Sequence, residues 1–336
     1  MKGNRFFAII LGLMLCLTMP MASAGKMVIK MGSIAPEGSA WHDALLRLKQ
    51  DWRDISDGQL ELRIYPGGVL GGEGEMVRKI QRRGLDAIAI SGSGLPQVDD
   101  SIHCLNLPLL FDSYENFDYV RAGISPIVEA RLDKKGYKVL TWTEGGWVNF
   151  FAKEAIRTPQ DLKKLRLWIS SGDPTTERLL KELGFNVVPL PTTDMLTGLQ
   201  TGLVEAIDVP PLFALLDRSY EYAPYMTDFK WAPLNAAIII SARTWKKIPA
   251  NLHDKLLASA QAVGQGLREE VRSSSKEAIK EMQARGLTVI VPTTEDLVHW
   301  QVLTEESFPK IRGTLCEAEI FDQVISLDQT YEKQNQ

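Results

Sequence analysis

The sequence predicts an α/β protein in two domains bridged by one long helix, and three observations carry that reading. Strand-like and helix-like stretches alternate along most of the chain, beginning with a βαβ unit. Such units build largely parallel sheets and place ligands at the carboxyl ends of strands. The length, 336 residues, exceeds what one core of average size serves. A single apolar stripe at helical spacing, including Leu256, Ala260, Val263, Leu267, Val271 and Met282, runs between Asn251 and Gly286. Thirty-odd helical residues at about 1.5 Å each reach roughly 50 Å, farther than one domain of this size extends.

The chain opens with Met1-Lys2-Gly3-Asn4-Arg5, an apolar run from Phe6 to Met21, and then Ala22-Ser23-Ala24. A basic flank, a run too short to span a membrane and a small-residue exit read as a cleaved secretory leader over residues 1–24. Cys16 lies inside the run without the small residues ahead of it that a lipid-attachment box shows. Export is expected, and with it a periplasmic location. The formal net charge is −4, and loss of Lys2 and Arg5 makes the mature chain more acidic by two. Such a chain does not hold nucleic acid or anionic lipid by bulk charge. Cys104 and Cys316 remain after cleavage; in an oxidising compartment they could pair, but no spacing supports it, and two separate buried thiols is the preferred reading.

Val28 to Ile34 alternates into the first strand. Ser39 caps a helix marked by Trp41, Leu45, Leu48 and Trp52, and Leu60 to Tyr65 forms the next strand. The glycine-rich loop from Pro66 to Gly74 stands where a phosphate loop would. It has neither the Gly-Lys-Ser/Thr ending nor the dinucleotide fingerprint, so it reads as backbone passing close to a neighbour. Leu85 to Ser91 is a buried strand. Ser91-Gly92-Ser93-Gly94 lacks a Gly-x-Ser-x-Gly elbow and reads as a hydroxyl and amide rim to a cleft. Leu105 to Phe111 is strand or packed turn, followed by a helix over Ser113 to Val120, another over Ser125 to Lys135, and a strand over Tyr137 to Thr143.

Glu144 to Ser171 gives a strand (Trp147 to Lys153), a short helix (Thr158 to Lys164) and a second strand (Leu165 to Ile169). Beyond it come a helix from Pro174, a strand from Asn186, a helix over Thr193 to Thr201 and a strand over Ala206 to Val209. Leu234 to Ser241 returns as a strand before the long helix, in which Gly264 and Gly266 are candidate bends. A strand (Leu287 to Val291), a helix (Thr294 to Leu315) and a frayed polar tail finish the chain. The implied division is 25–147 plus 234–270 for the first domain, 148–233 plus 271–325 for the second, and 326–336 for the tail.

Several phrases occur in one order: GSIAPEGSAWHDAL, IYPGGVLGGEGEM, LDAIAIS, NLPLLF, IRTPQDLKKLRLW, GFNVVPLP and LQTGLVEAIDVP, then the long helix. The set resembles the periplasmic solute-binding proteins of tripartite ATP-independent periplasmic (TRAP) transporters, of the dicarboxylate-binding type, over nearly the whole mature chain. The resemblance implies the two-domain periplasmic-binding-protein fold, crossing strands, a long bridging helix and closure on a ligand at the interface. It also implies delivery of that small molecule to an integral membrane permease driven by an ion gradient. In that family an arginine in the strand after the Thr-Pro phrase holds the ligand carboxylate, and a second arginine commonly sits in the preceding strand. Here those positions are Trp168 and Val148. An amide that often touches ligand is replaced as well, within Glu205-Ala206-Ile207-Asp208-Val209.

A guanidinium holds a carboxylate through two charge-assisted hydrogen bonds, each contributing about 1.5–3 kcal/mol. Without it, a carboxylate drawn into a closing cleft stays desolvated and unpaired. The expected ligand is therefore more apolar or aromatic than a dicarboxylate, or a cation held over tryptophan faces. The expected ligand-binding residues are Trp168, Trp147, Val148, Asn149, Asp208, Val209, Phe213, Trp231, Glu73, Ser91 and Trp41. Trp41 could equally anchor its helix, and Glu73 and Asp208 are either cleft acids or surface charges. Arg166, two residues before Trp168, is the one candidate for a displaced cation. Trp168→Ala is expected to weaken binding with little change in melting temperature.

No catalytic chemistry is expected. His42, His103, His253 and His299 have no metal-ligand spacing, and no nucleophile, base and orienting group assemble from motifs. No metal and no cofactor are called for. The alternative to transport is an exported ligand-sensing or scaffold protein of the same fold that works through an additional periplasmic partner protein.

Overall fold

The alternation that begins near Val28 becomes one edge of a five-stranded sheet. β1 (Met27–Ser33) lies between β2 (Leu60–Tyr65) and β3 (Ala87–Ser91) and is parallel to both. The computed structural model describes residues 26–171 and 173–335; the expected leader lies outside them. Two more strands complete this sheet. β4 (Tyr137–Trp147) pairs antiparallel with β10 (Pro233–Ser241), which pairs antiparallel with β3, giving the order β2-β1-β3-β10-β4.

The second sheet contains β5 (Asn149–Ala152), β6 (Arg166–Ser170), β7 (Asn186–Leu190), β8 (Ala206–Val209), β9 (Tyr225–Thr227) and β11 (Thr288–Ile290), in the order β11-β9-β5-β8-β6-β7. β6 runs parallel to β7 and β8, whereas β5 is antiparallel to β8 and β9. Helices cover both sheets: α1 (Ala40–Ile55), α2 (Glu73–Gln81), α3 (Tyr114–Lys134), α4 (Pro159–Lys163), α5 (Pro174–Glu182), α6 (Met195–Thr201), α7 (Pro211–Leu216), α8 (Ala242–Trp245), α9 (His253–Ala284), α10 (Thr294–Ile311) and α11 (Ala318–Asn335).

The chain crosses between the sheets from β4 to β5 and returns from β9 to β10. The two crossings are hydrogen-bonded to each other. The Val148 amide donates to the Ala232 carbonyl at 2.9 Å, and the Trp231 amide donates to the Val148 carbonyl at 3.1 Å. Val148 is thus the point where both passages are fastened.

Helix α9, 32 residues long, spans the two units as its length implies. Leu256, Ala260, Val263, Leu267 and Val271 are buried in the core of the first sheet, and Met282 in that of the second. The helix is continuous through Gly264. A Cβ there would collide with the side chain of Thr141, so glycine lets the helix approach β4 closely. Two turns further on, Arg272 fastens the helix to the end of β4. Its guanidinium donates to both carboxylate oxygens of Glu144 at 2.7 Å and to Asp118 at 2.7 and 2.9 Å. Glu144 is only 1% exposed, so this pairing offsets the desolvation of a buried charge.

Three sequence expectations are corrected and one open alternative is decided. Residues 114–134 form one helix, not two, and Pro126 lies inside it while the Ser125 hydroxyl bonds the Arg121 carbonyl at 2.7 Å. Leu105 to Phe111, read as strand or packed turn, is the latter: a 3₁₀ turn (Asp100–Leu105) leads into irregular backbone. The polar tail is the last turns of α11, which buries Ile320, Phe321 and Val324 in the core around α3, with Asn116 donating to Asp328 at 2.8 Å. Its apolar positions are few among many Glu, Gln and Lys residues, which hid the stripe. Finally, Cys104 and Cys316 are not separate thiols. They form a disulfide with Cα atoms 5.8 Å apart, tying the 3₁₀ turn to the loop between α10 and α11. A sequence separation of 212 residues cannot be read as a pair from spacing alone.

Candidate functional site

Trp168 stands in the middle of β6 because alternation along the strand turns Leu167 and Ile169 into one core and Trp168 toward another. Its indole N–H donates to the Leu190 carbonyl of the neighbouring strand at 3.1 Å, and the residue is 4% exposed. Two cavities meet at this ring. The smaller, about 110 Å³, lies between the two units and is lined by Trp41, Glu73, Ser91, Asp208, Val209 and Phe213. The larger, about 220 Å³, passes behind Trp168 into the second unit, between β6, α5 and α10. Trp168, Asp208, Ser93 and Leu234 line both.

Most of the expected site residues are brought to this place. Trp168 and Asp208 lie at the junction, Val148 and Trp231 on the larger cavity, and Trp41, Glu73, Ser91, Val209 and Phe213 on the smaller. Trp41 also fastens its helix, with its N–H donating to the Glu144 carbonyl at 3.1 Å. Two residues are placed elsewhere. Trp147 points to the opposite face from Val148 and packs in the first core, 5.3 Å from the Tyr114 ring, with the Lys230 ammonium over it. The Asn149 carboxamide donates to the Thr227 and Phe229 carbonyls at 3.1 and 3.0 Å, holding β5 to its neighbour, and faces neither cavity. Arg166 supplies no displaced cation. It begins β6 at the far end of the strand and binds the Gly202 and Leu203 carbonyls and Glu205.

The electrostatics of the smaller cavity are those of acceptors. Burial pushes the Glu73 carboxyl up to about 6, against the Ser91 amide and hydroxyl that donate to it at 2.5 and 2.8 Å. Burial pushes Asp208 up to about 7, with only its own backbone amide opposing. Among the described residues, neither cavity is lined by an arginine or a lysine. The single basic ring is His103, and its Nε2 lies 3.2 Å from Asp173 across the cleft. Among the described residues no group of three His, Cys, Asp or Glu is placed to hold a metal.

The apolar lining of the larger cavity was not legible as a site. Leu179 and Leu183 come from α5 and its end, Leu303 and Ile311 from α10. In sequence these are ordinary amphipathic-helix positions, indistinguishable from core. His103 and Asp173 carried no motif either, since only the fold brings the 3₁₀ turn against the start of α5.

The family described as bacterial extracellular solute-binding protein, family 7 (DctP), matches residues 31–312. The chain belongs to this family. Its relatives include the 2,3-diketo-L-gulonate-binding periplasmic protein YiaO of Escherichia coli, 24% identical over 273 residues, covering 80% of this chain and 82% of that protein. The C4-dicarboxylate-binding periplasmic protein DctP of Rhodobacter capsulatus is 22% identical over 298 residues, covering 87% and 88%. Among solved structures, the galactonate complex of a sugar acid binding protein from Advenella mimigardefordensis superposes with a TM-score of 0.85 at 19% identity, covering 91% of this chain and 99% of that one. A succinate-bound TRAP periplasmic solute-binding protein from Sulfurospirillum deleyianum gives 0.82 at 20%, covering 91% and 99%. The fold is therefore the two-domain fold of TRAP solute-binding proteins. Members of this family bind solutes and are not enzymes, and they work with membrane permease subunits outside the cytoplasm.

Proposed function

We propose that this family 7 protein captures in its interdomain cleft a small organic solute more apolar than a dicarboxylate, and delivers it to a TRAP-type secondary transporter. One observation carries the reading: no arginine or lysine among the described residues lines either cavity. Relatives are described as binding succinate, galactonate or C4-dicarboxylates, anions that need a cationic or multiply donating clamp. Here the clamp positions hold Val148 and Trp168, and the ionisable groups on the smaller cavity are the Glu73 and Asp208 carboxyls. The moving units are proposed to divide at the fastened crossings, 25–147 plus 234–270 against 148–233 plus 271–325, and the mature chain to begin after a leader cleaved near residue 24. A thermal-shift panel of ligand-free protein tests the ligand class. Succinate, malate, galactonate and glucuronate are expected to leave the melting temperature unchanged, and a strong shift with any of them overturns the apolar reading.

A second reading, docking of an additional periplasmic partner, draws on one observation. Val298 and Val302, one turn apart on α10, expose 51% and 47% of their surface, and nearby in sequence Val291 exposes 64%. A stoichiometric protein partner retained with an empty cleft supports that reading; a solute retained without a partner excludes it.

A further inference from the structure

A hydrogen-bond inventory of the two cavities shows what is left for a solute. Three side-chain N–H donors around them are engaged: Trp168 Nε1 with Leu190, Trp41 Nε1 with Glu144, and Asn106 Nδ2 with the Gly92 carbonyl at 3.2 Å. Three hydroxyls of the larger cavity are turned into their own helices, with Thr304 donating to the Trp300 carbonyl, Ser307 to that of Thr304, and Thr176 to Asp173. Groups left to donate include the Trp231 indole N–H and the Ser93 hydroxyl, and beside them stand two strong acceptors. Asp208 receives only its own amide. Asn106 Oδ1 is buried without a partner and belongs to the wall of the larger cavity. A solute completes such a site by donating.

The smaller cavity adds aromatic faces to its acids, because Trp41, Phe213 and Trp168 share it with Glu73 and Asp208. Carboxylates with aromatic faces favour an organic cation, by ion pairing and by attraction to the ring quadrupole. The larger cavity supplies the opposite chemistry. Its inner walls are Leu162, Leu179, Leu183, Phe185, Leu303 and Ile311. A volume of about 220 Å³, at ~30 Å³ for each water-sized group, has room for about seven methylenes.

We propose that the solute is an organic ammonium compound with an unbranched apolar chain, its head in the smaller cavity beside Glu73 and Asp208 and its chain in the larger one. This rests on the apolar reading of the cleft and adds the charge and shape of the ligand. Trp168 is the sill over which the chain passes. Asp208, lining both cavities, sets the preference for a cation, and the length of the larger cavity sets the preference for chain length.

The test is isothermal titration of refolded, ligand-free protein at about pH 8 with straight-chain primary amines and the matching alkanoates, four to ten carbons long. Amine affinity is expected to rise about fourfold per methylene and to level off near seven, with alkanoates of equal length at least tenfold weaker. Asp208→Asn and Glu73→Gln are each expected to narrow the amine-over-alkanoate ratio at least tenfold while keeping the chain-length dependence. Leu179→Trp is expected to shorten the optimal chain and leave the head preference in place. Alkanoates binding as well as amines, with the same length dependence, overturn the ammonium head and leave the apolar cleft standing. Failure of every amine overturns the proposal, and succinate or galactonate binding in place of both series overturns the apolar cleft itself.

Discussion

Removing the indole of Trp168 separates two roles that sequence alone could not. The ring is 4% exposed and lies in the core cluster of Phe151, Met195, Leu199 and Ile207, with its N–H bonded to the Leu190 carbonyl. Trp168→Ala therefore opens a cavity and removes one of two hydrogen bonds to that carbonyl, which keeps the Ser171 amide at 3.0 Å. Large aromatic truncations in cores cost about 3–5 kcal/mol. A total stability of roughly 5–15 kcal/mol leaves the variant folded. The sequence expectation of an unchanged melting temperature is thus replaced by one of substantial destabilisation together with loss of binding. Urea unfolding of ligand-free protein measures the first, and native mass spectrometry of retained solute the second. Trp168→Phe, which keeps most of the packing and loses the N–H, is expected to cost less than half as much. A loss below about 1 kcal/mol for Trp168→Ala refutes the packing described here. The expected loss with solute retention unchanged refutes Trp168 as a wall of the site.

Three further outcomes follow from the geometry. Cys104→Ser is expected to lower stability by about 2–5 kcal/mol, and reduction of the wild-type protein to reproduce the loss; equal midpoints in calorimetry would argue against the disulfide. Arg272→Met leaves the Glu144 carboxylate, 1% exposed, without its principal partner, and is expected to cost about 3–5 kcal/mol in chemical denaturation, with an effect under 1 kcal/mol counting against the brace. Asp208, raised to about 7 when folded and near 4 when unfolded, binds its proton more tightly in the native state. Its contribution to stability falls as pH rises from about 4 to about 7 and is constant above. Asp208→Asn removes that fall, so variant and wild-type unfolding curves diverge across this window, and parallel curves contradict the burial of the carboxyl.

Elements with strong local signals were legible in the sequence. The opening βαβ unit, the strands around Trp168 and the stripe of α9 follow from periodicity and caps that tertiary structure did not override. Gly264 was legible as special but not in kind, because glycine permits a bend and a close approach alike. Residues 105–111 have strand composition yet do not pair, a choice made by packing. At the site, Trp168 and Asp208 came from strand positions that a family resemblance could single out. Trp147 failed because Gly146, at φ 97°, and the crossing at Val148 decide which way the ring faces. The larger cavity was invisible, since Leu179, Leu303 and Ile311 become a wall only when α5 and α10 stand apart over β6.

The central claim is that the carboxylate clamp is absent and the cleft receives a solute whose body is apolar. The most direct measurement is the identity of the small molecule retained by protein purified without denaturation, read by native mass spectrometry and by its density beside Trp168. The expected result is one apolar-chained compound lacking a free carboxylate, with its chain behind Trp168 and its polar end at Asp208. Succinate or a sugar acid found in the smaller cavity would contradict it.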